Sequence, residues 1–244
     1  MSSLASVVRT SLLSSPEITR LASLRRSTSI YSQNQIADAL FFVEEGLVKL
    51  TRTSSGGGHL ILAICGSGQM LGEEALGDEP RSYQTEAEAL TTTTLYRIPR
   101  QTMSSALAGS AELMASFVAY LLSRKVALAS KVELLCLHDV EFRILNYLAE
   151  LSALVKPQAD GEGYQLPITQ LELADLIGAT RETTSTTLNQ LERRGLVKLS
   201  RRLLTIPSPD TLLTAAAAKS GLGTDSAPPD NGELTKLSRG ALIP

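Results

Sequence analysis

Tryptophan is absent from this 244-residue chain, and all aromatics together reach only 4%. Any hydrophobic core must therefore be built from aliphatic side chains. Two cysteines, Cys65 and Cys136, cannot form a disulfide framework or a four-cysteine metal site. The two histidines, His59 and His138, are too far apart in sequence to point to a histidine-rich metal centre. No run of eighteen apolar residues occurs, so no membrane helix and no membrane partner are expected. The start, Met1 to Leu13, is Ser-rich with one Arg and lacks the apolar stretch of a secretory signal. A reduced, cytoplasmic setting is the default expectation. There is neither a phosphate-binding P-loop nor a Ser/His/Asp order with a supporting motif, so enzyme activity is not expected. The net charge of −2 excludes a uniformly basic nucleic-acid coat but leaves room for a local basic patch.

What remains is a globular composition, 43% hydrophobic and 20% charged, with length for one large or two modest domains. Ser15-Pro16-Glu17 reads as a helix start, since Ser can cap and Pro suits the first helical position, with Ile18, Leu21 and Leu24 as its apolar stripe. From Ser27 to Pro99 the pattern changes to short strands. Leu40 to Val43, Leu47 to Thr51, His59 to Ile64, Gln84 to Ala89 and Thr91 to Ile98 are separated by glycine-rich turns. Many short strands of this kind predict a small β-roll or barrel.

From Ala111 to Leu137 there is neither Gly nor Pro. A helix of this length is a rod of roughly 40 Å. Met114, Val118, Leu121, Leu128, Val132 and Leu135 recur at steps of three and four, with Lys125 interrupting. The economical cover for such a stripe is a second copy of the helix, so a homodimer through 111–138 is expected. Asp139 opens a further helical segment with Val140, Ile144, Leu145, Leu148 and Leu151, and residues 156–163 read as a loop. Beyond Pro207-Ser208-Pro209, residues 210–220 fit a last helix, and 221–244 read as a flexible tail.

Residues 169–206 carry the most information. Thr169 with Glu172 forms a capping-box pattern, and Gly178 supplies a left-handed stop. A second helix then runs from Arg181 to Arg194 with Leu188 and Leu191 inward, which makes a helix-turn-helix. Its polar face offers Arg181, Glu182, Thr183, Ser185, Thr186 and Asn189. Arg can pair with guanine, Glu can accept from cytosine, and a Thr methyl can touch thymine. Thr169, Gln170 and Thr180 flank that face. A hairpin around Ser200-Arg201-Arg202 follows as a basic wing. Between Gly178 and Ile206, six Lys or Arg face two Glu, a local surplus of four positive charges suited to phosphate contact.

This order resembles the CRP/FNR superfamily of bacterial transcription regulators, over roughly Pro16 to Ile206. Residues 30–31 and 37–50 are similar to the first half of its cyclic-nucleotide-binding roll. Gly68 to Leu76 with Pro80-Arg81-Ser82 looks like its phosphate-binding cassette, and Gly178 to Thr183 like the start of its recognition helix. The resemblance implies an α+β fold: an N-terminal double-stranded, jelly-roll-like β-roll (1–110), a dimerisation helix (111–138) and a C-terminal winged helix-turn-helix (139–220). It also implies a homodimer on a near-palindromic DNA operator, acting with RNA polymerase. The competing reading is a nucleotide sensor that works through protein contacts without specific DNA binding.

In the cassette, Gly72 lets backbone approach a ligand, and the amides at Glu73, Glu74 and Ala75 can donate to a phosphate. Glu73 can hold a ribose hydroxyl, and Arg81 with Ser82 can neutralise a cyclic phosphate. Equally, Glu73 and Arg81 can form a salt bridge in a purely structural roll. Four departures from the family stand out. The 73–81 loop is shorter than in the cyclic-AMP receptors. Leu128 and Ala129 stand where those receptors place adenine-reading hydroxyls. Two cysteines cannot hold the four-cysteine cluster of the oxygen-sensing branch. Thr186 stands where a second recognition arginine is frequent. A cyclic nucleotide effector without adenine selectivity, or none, follows. The cysteines read as buried small side chains rather than a redox switch, and His138 as a helix-end residue.

Overall fold

The computed structural model describes residues 3–77, 79, 81–158 and 163–219. The predicted tail at 221–244 lies outside the described residues, as does part of the 156–163 loop. The chain packs as two compact units that part between Lys125 and Val126, inside one helix.

The first unit is an antiparallel β-roll. It contains helix α1 (Leu4–Ser11), strands β1 (Thr19–Leu24), β2 (Ser29–Tyr31), β3 (Ala39–Glu45), β4 (Val48–Thr53), β5 (His59–Cys65), β6 (Met70–Leu71), β7 (Glu86–Ala89) and β8 (Thr93–Pro99), helix α2 (Arg100–Gly109) and the first half of α3 (Ala111–Leu137). Two four-stranded sheets, β1-β8-β3-β6 and β2-β7-β4-β5, form the roll. Its core is mainly aliphatic, with Leu40, Val43, Val48, Leu71, Leu95 and Ile98 buried, but not wholly so as expected: the few aromatics gather in it, with Tyr31, Phe41, Phe42 and Tyr83 buried among them. Met103 and Leu107 of α2 and Leu113, Phe117 and Tyr120 of α3 join the same cluster. Tyr120 pins the helix further: its hydroxyl donates to the Met70 carbonyl at 2.5 Å and accepts from the Met70 N–H at 3.1 Å.

Two expectations at the N-terminus are corrected. Ile18, Leu21 and Leu24 do not lie on a helix; residues 19–24 are β1, paired with β8. The three-residue step misled because β1 is bulged. Leu21 pairs with Leu95 and Leu24 with Thr93, so one extra residue sits between them, with Ser23 at φ 56°. A bulge returns residues i and i+3 to one face of a strand, which imitates helical spacing. The helix lies earlier, over Leu4–Ser11, where Ser3 caps it and Leu4, Val7 and Val8 are buried in the roll. Helix α2 was not anticipated either, because its buried residues Met103 and Leu107 form too short a stripe to stand out.

The second unit holds the rest of α3, then α4 (Val140–Ser152), β9 (Tyr164–Leu166), α5 (Gln170–Ile177), α6 (Arg181–Arg193), β10 (Lys198–Ser200), β11 (Leu203–Ile206) and α7 (Pro209–Lys219). The wing is a three-stranded sheet in the order β10-β11-β9 rather than a lone hairpin. Ser200 belongs to a strand, paired with Leu203, which leaves Arg201 and Arg202 as the turn. The unit is therefore a winged helix-turn-helix.

By length and composition α3 could also cross a membrane, with a mean hydropathy of 1.3 over its most apolar stretch. The absence of an eighteen-residue apolar run thus understated how apolar this helix is. Yet the two charges that break that stretch are Arg124, which donates to the Cys65 sulfur, and Lys125, which is exposed.

Candidate nucleic-acid interface

The two helices that present the polar face are held at both ends as the sequence requires. Thr169 Oγ1 accepts the Glu172 N–H at 3.1 Å, and the Glu172 carboxylate accepts the Thr169 N–H at 2.9 Å. The Thr169 hydroxyl donates back to that carboxylate at 2.8 Å, so its polar atoms serve the cap. Gln170 follows it, half-exposed. Helix α5 stops at Gly178, whose left-handed backbone (φ 63°, ψ 42°) lets its N–H reach the Ala174 carbonyl. Thr180 then caps α6, accepting the Thr183 N–H at 3.2 Å.

Along α6, Thr184, Leu188 and Leu191 are buried. Arg181, Glu182, Thr183, Thr186 and Asn189 are exposed, and Ser185 is half-exposed. Among the described residues, no hydrogen bond or ion pair engages the side chains of Arg181, Glu182, Ser185, Thr186 or Asn189. Arg201 and Arg202 are exposed at the wing tip, Arg202 at φ 63°. Arg194, by contrast, points away into an ion pair with Glu141 at 2.5 Å. Glu192 accepts the Leu199 N–H at 2.8 Å, which turns its carboxylate into the base of the wing. The face thus keeps Arg181, Arg193, Lys198, Arg201 and Arg202 as its cations, with Glu182 as its one acid.

An acidic patch on α4 braces this arrangement from behind. Lys219 of α7 lies 2.9 Å from Asp139 and 2.8 Å from Glu141. Burial alone would raise both carboxyls. The Phe142 N–H and Lys219 hold Asp139 below its ordinary value, and Lys219 with Arg194 does the same for Glu141. His138 stacks on Phe142 at 4.0 Å at the end of α3, a packing role.

The roll cassette does not gather its charged residues as the sequence led one to expect. Glu73, on a short 3-10 turn Glu73–Leu76, faces Arg124 Nε at 4.0 Å. Arg81 turns elsewhere: its Nε donates to the Gly77 carbonyl at 2.6 Å, and its Nη1 pairs with Glu79 at 2.7 Å. The anticipated Glu73–Arg81 salt bridge is therefore replaced by two separate pairs. Arg81 instead borders a shallow concavity of about 320 Å³ with Asp38, Arg97 and Arg100. Ser82 bonds Gln84, as does Glu74, whose carboxyl is pushed up chiefly by burial. Ala75 is buried. Gly72 is left-handed (φ 80°), and a Cβ there would meet the Ala39 carbonyl and the Tyr83 ring at 3.1 Å. Packing beneath it, rather than a ligand above it, already demands glycine. Tyr83 fills that space, stacked on Tyr31 at 3.9 Å with its hydroxyl bonded to Ala39. A cyclic phosphate at Arg81 would therefore have to displace Gly77 and Glu79 first. Leu128 and Ala129 are exposed on α3.

On α3, Met114, Val118, Leu121, Lys125, Leu128 and Val132 are all exposed, and Leu135 is half-buried. The opposite stripe, Leu113, Phe117, Tyr120, Arg124 and Lys131, is covered by the chain's own units. Arg124 and Lys131, on this covered stripe, were not singled out in the sequence. Their seven-residue spacing, in line with Phe117 and Tyr120, was the available signal. Arg124 Nη1 lies 3.4 Å from the Sγ of Cys65, which is fully buried and whose thiol burial pushes up. Cys136 is exposed, not buried as anticipated.

A β-roll feeding a long helix and a winged helix-turn-helix with an unengaged recognition face defines a DNA-binding regulator. Comparison with known proteins agrees. Residues 21–110 match the cyclic nucleotide-binding domain family, and residues 142–215 match the Crp-like helix-turn-helix domain. The chain is 34% identical over 171 residues to the cyclic AMP receptor protein of Thermus thermophilus, covering 70% of this chain and 76% of that one. It is 27% identical over 172 residues to the cAMP-activated global transcriptional regulator of Haemophilus influenzae, at 70% and 76% coverage. A solved CRP-family regulator from Thermus thermophilus superposes with a TM-score of 0.69 at 25% identity, covering 82% of this chain and 96% of that one. The chain belongs to the CRP/FNR superfamily and is a DNA-binding transcription regulator; its relatives are regulators, not enzymes.

Proposed function

We propose that the protein acts as a cytoplasmic homodimer, without enzyme activity, on a near-palindromic operator. The α3 stripe pairs two copies, each α6 enters a major groove, and Arg201 and Arg202 hold flanking phosphates. Two-fold symmetry places the half-sites about one helical turn apart, roughly 34 Å. The observation that carries this reading is the recognition face itself: Arg181, Glu182, Thr186 and Asn189 are exposed, and among the described residues no hydrogen bond or ion pair engages their side chains. Function divides at 111–138, between the roll that senses or scaffolds and the module that binds DNA; RNA polymerase is the partner through which a bound dimer acts. The test is a mobility-shift titration on random and on selected palindromic duplexes at several salt concentrations. Steep salt dependence on both, with tighter binding to the palindrome as a dimer, is expected. Salt-independent binding, or monomers on half-sites, would overturn the proposal.

A second reading, a cyclic nucleotide effector in the roll, is favoured by the domain match at residues 21–110. Calorimetry with cyclic AMP and cyclic GMP decides it. Binding that Arg81→Ala weakens by ~2–5 kcal/mol supports it; no heat with either ligand leaves a regulator that works without a cyclic nucleotide.

A further inference from the structure

One cation in the second unit sits where cations are rarely placed. Lys131 lies on α3 with only 5% of its surface exposed. Its Nζ donates to the Leu176 carbonyl at 2.9 Å and stands 4.5 Å above the Tyr147 ring of α4. The Tyr147 hydroxyl is buried and makes no hydrogen bond among the described residues. Leu176 and Ile177 end α5, where unpaired carbonyls and the helix dipole concentrate negative potential. A second cation shares this end: Arg143 of α4 donates to the Ile177 carbonyl at 2.9 Å and to the His138 carbonyl at 2.9 Å. Only Gly178, Ala179 and Thr180 separate that end from the first residue of α6. Lys131 thus ties the long helix directly to the end of α5, just ahead of the recognition helix.

We propose that Lys131 is a positioning residue for DNA recognition, its ammonium group fixing the last turn of α5 and hence the entry of α6 into the groove. The hold depends on charge. A neutral amine keeps a hydrogen bond but loses both the attraction to the helix end and the contact with the ring face. Burial lowers the Lys131 pKa from 10.5 to about 8, opposed by the Glu150 carboxylate of α4. Of the other ionisable groups on the helices packed against it, Arg143 is committed to Ile177 and Glu172 to the capping box. Asp175 lies one residue before Leu176 on α5. The hold therefore weakens in mildly alkaline solution. Global stability moves the other way. With the folded pKa below the unfolded one, the unfolded chain binds more protons between about 8 and 10.5, so stability rises with pH in that window.

This opposition gives a test that a merely structural role would fail. Affinity for a selected duplex is read by fluorescence anisotropy across a pH series centred on about 8, and unfolding by denaturant titration. Wild type is expected to lose roughly five- to tenfold in affinity as pH rises through the transition, the scale of a cation lost from a partly buried helix end. Lys131→Met should bind that much more weakly at the acidic end, show no transition, and unfold no more easily than wild type, because removing a buried charge seldom costs stability when the volume is kept. Glu150→Gln, a change at an exposed residue, should fold normally and move the transition to lower pH. Wild-type affinity in Lys131→Met at the acidic end, or an unshifted profile in Glu150→Gln, would overturn the proposal.

Discussion

Leu128 offers the sharpest trial of the paired-helix reading, because its exposure sets the size of the effect. It is 51% exposed on its own chain. Full burial of a leucine is worth about 2 kcal/mol, so covering the remaining half adds about 1 kcal/mol per protomer and about 2 kcal/mol per dimer. Leu128→Ala should forfeit most of that, about 1.5 kcal/mol, and raise the dimer dissociation constant roughly tenfold at 1.4 kcal/mol per decade. Leu128→Asp should do more, about 3–5 kcal/mol, since two unpaired carboxylates would face each other across the seam. Leu121, at 36% exposed, has less left to bury and should respond more weakly to truncation. Sedimentation equilibrium measures each constant directly, and DNA affinity should fall in step because a monomer holds only one half-site. An unchanged dissociation constant for Leu128→Asp would refute the assignment. So would a wild-type protein that remains monomeric at micromolar concentration.

Three further outcomes follow from the second unit. Arg181→Ala should relax base preference at one operator position by ~1–3 kcal/mol, while Arg201→Ala or Arg202→Ala should weaken all duplexes alike and flatten the salt slope, both measured by anisotropy on a substituted operator panel. Glu141 is held below its ordinary pKa, so its ion pairs add stability above the unfolded value of 4.5 and lose it as pH falls through the folded value; Glu141→Gln should be destabilising at neutral pH and nearly silent in acid, as read by denaturant unfolding. Gly178→Ala forces a left-handed backbone (φ 63°) on a residue with a Cβ, and should cost about 1 kcal/mol of stability in thermal melts.

The DNA-binding half was the more legible because its signals are local. A capping box and a glycine stop are each decided within four residues, so Thr169, Glu172 and Gly178 announced α5 and its end almost to the residue, while the cap that Thr180 gives α6 emerged only in the structure. The long helix was equally plain from its length without Gly or Pro and its three- and four-residue apolar steps. The N-terminus was not: whether Ile18, Leu21 and Leu24 share a helical stripe or a bulged strand depends on β8, about seventy residues away, offering a partner. The cassette failed for the same reason. Glu73 and Arg81 each had the right chemistry, but Arg124 claimed one, and Glu79 with the Gly77 carbonyl claimed the other.

By itself, then, the sequence determined the long helix, the winged module and its polar face, because hydrophobic period and cap chemistry act over a few residues. Only the tertiary structure decided which charges are spent and which are free. Arg194, Glu192, Arg81 and Lys131 are indistinguishable from exposed surface charges in a linear reading. Packing assigns them to Glu141, to the Leu199 amide, to Gly77 and Glu79, and to the end of α5. Electrostatic partners are chosen by distance in space, and that distance exists only after the chain has folded.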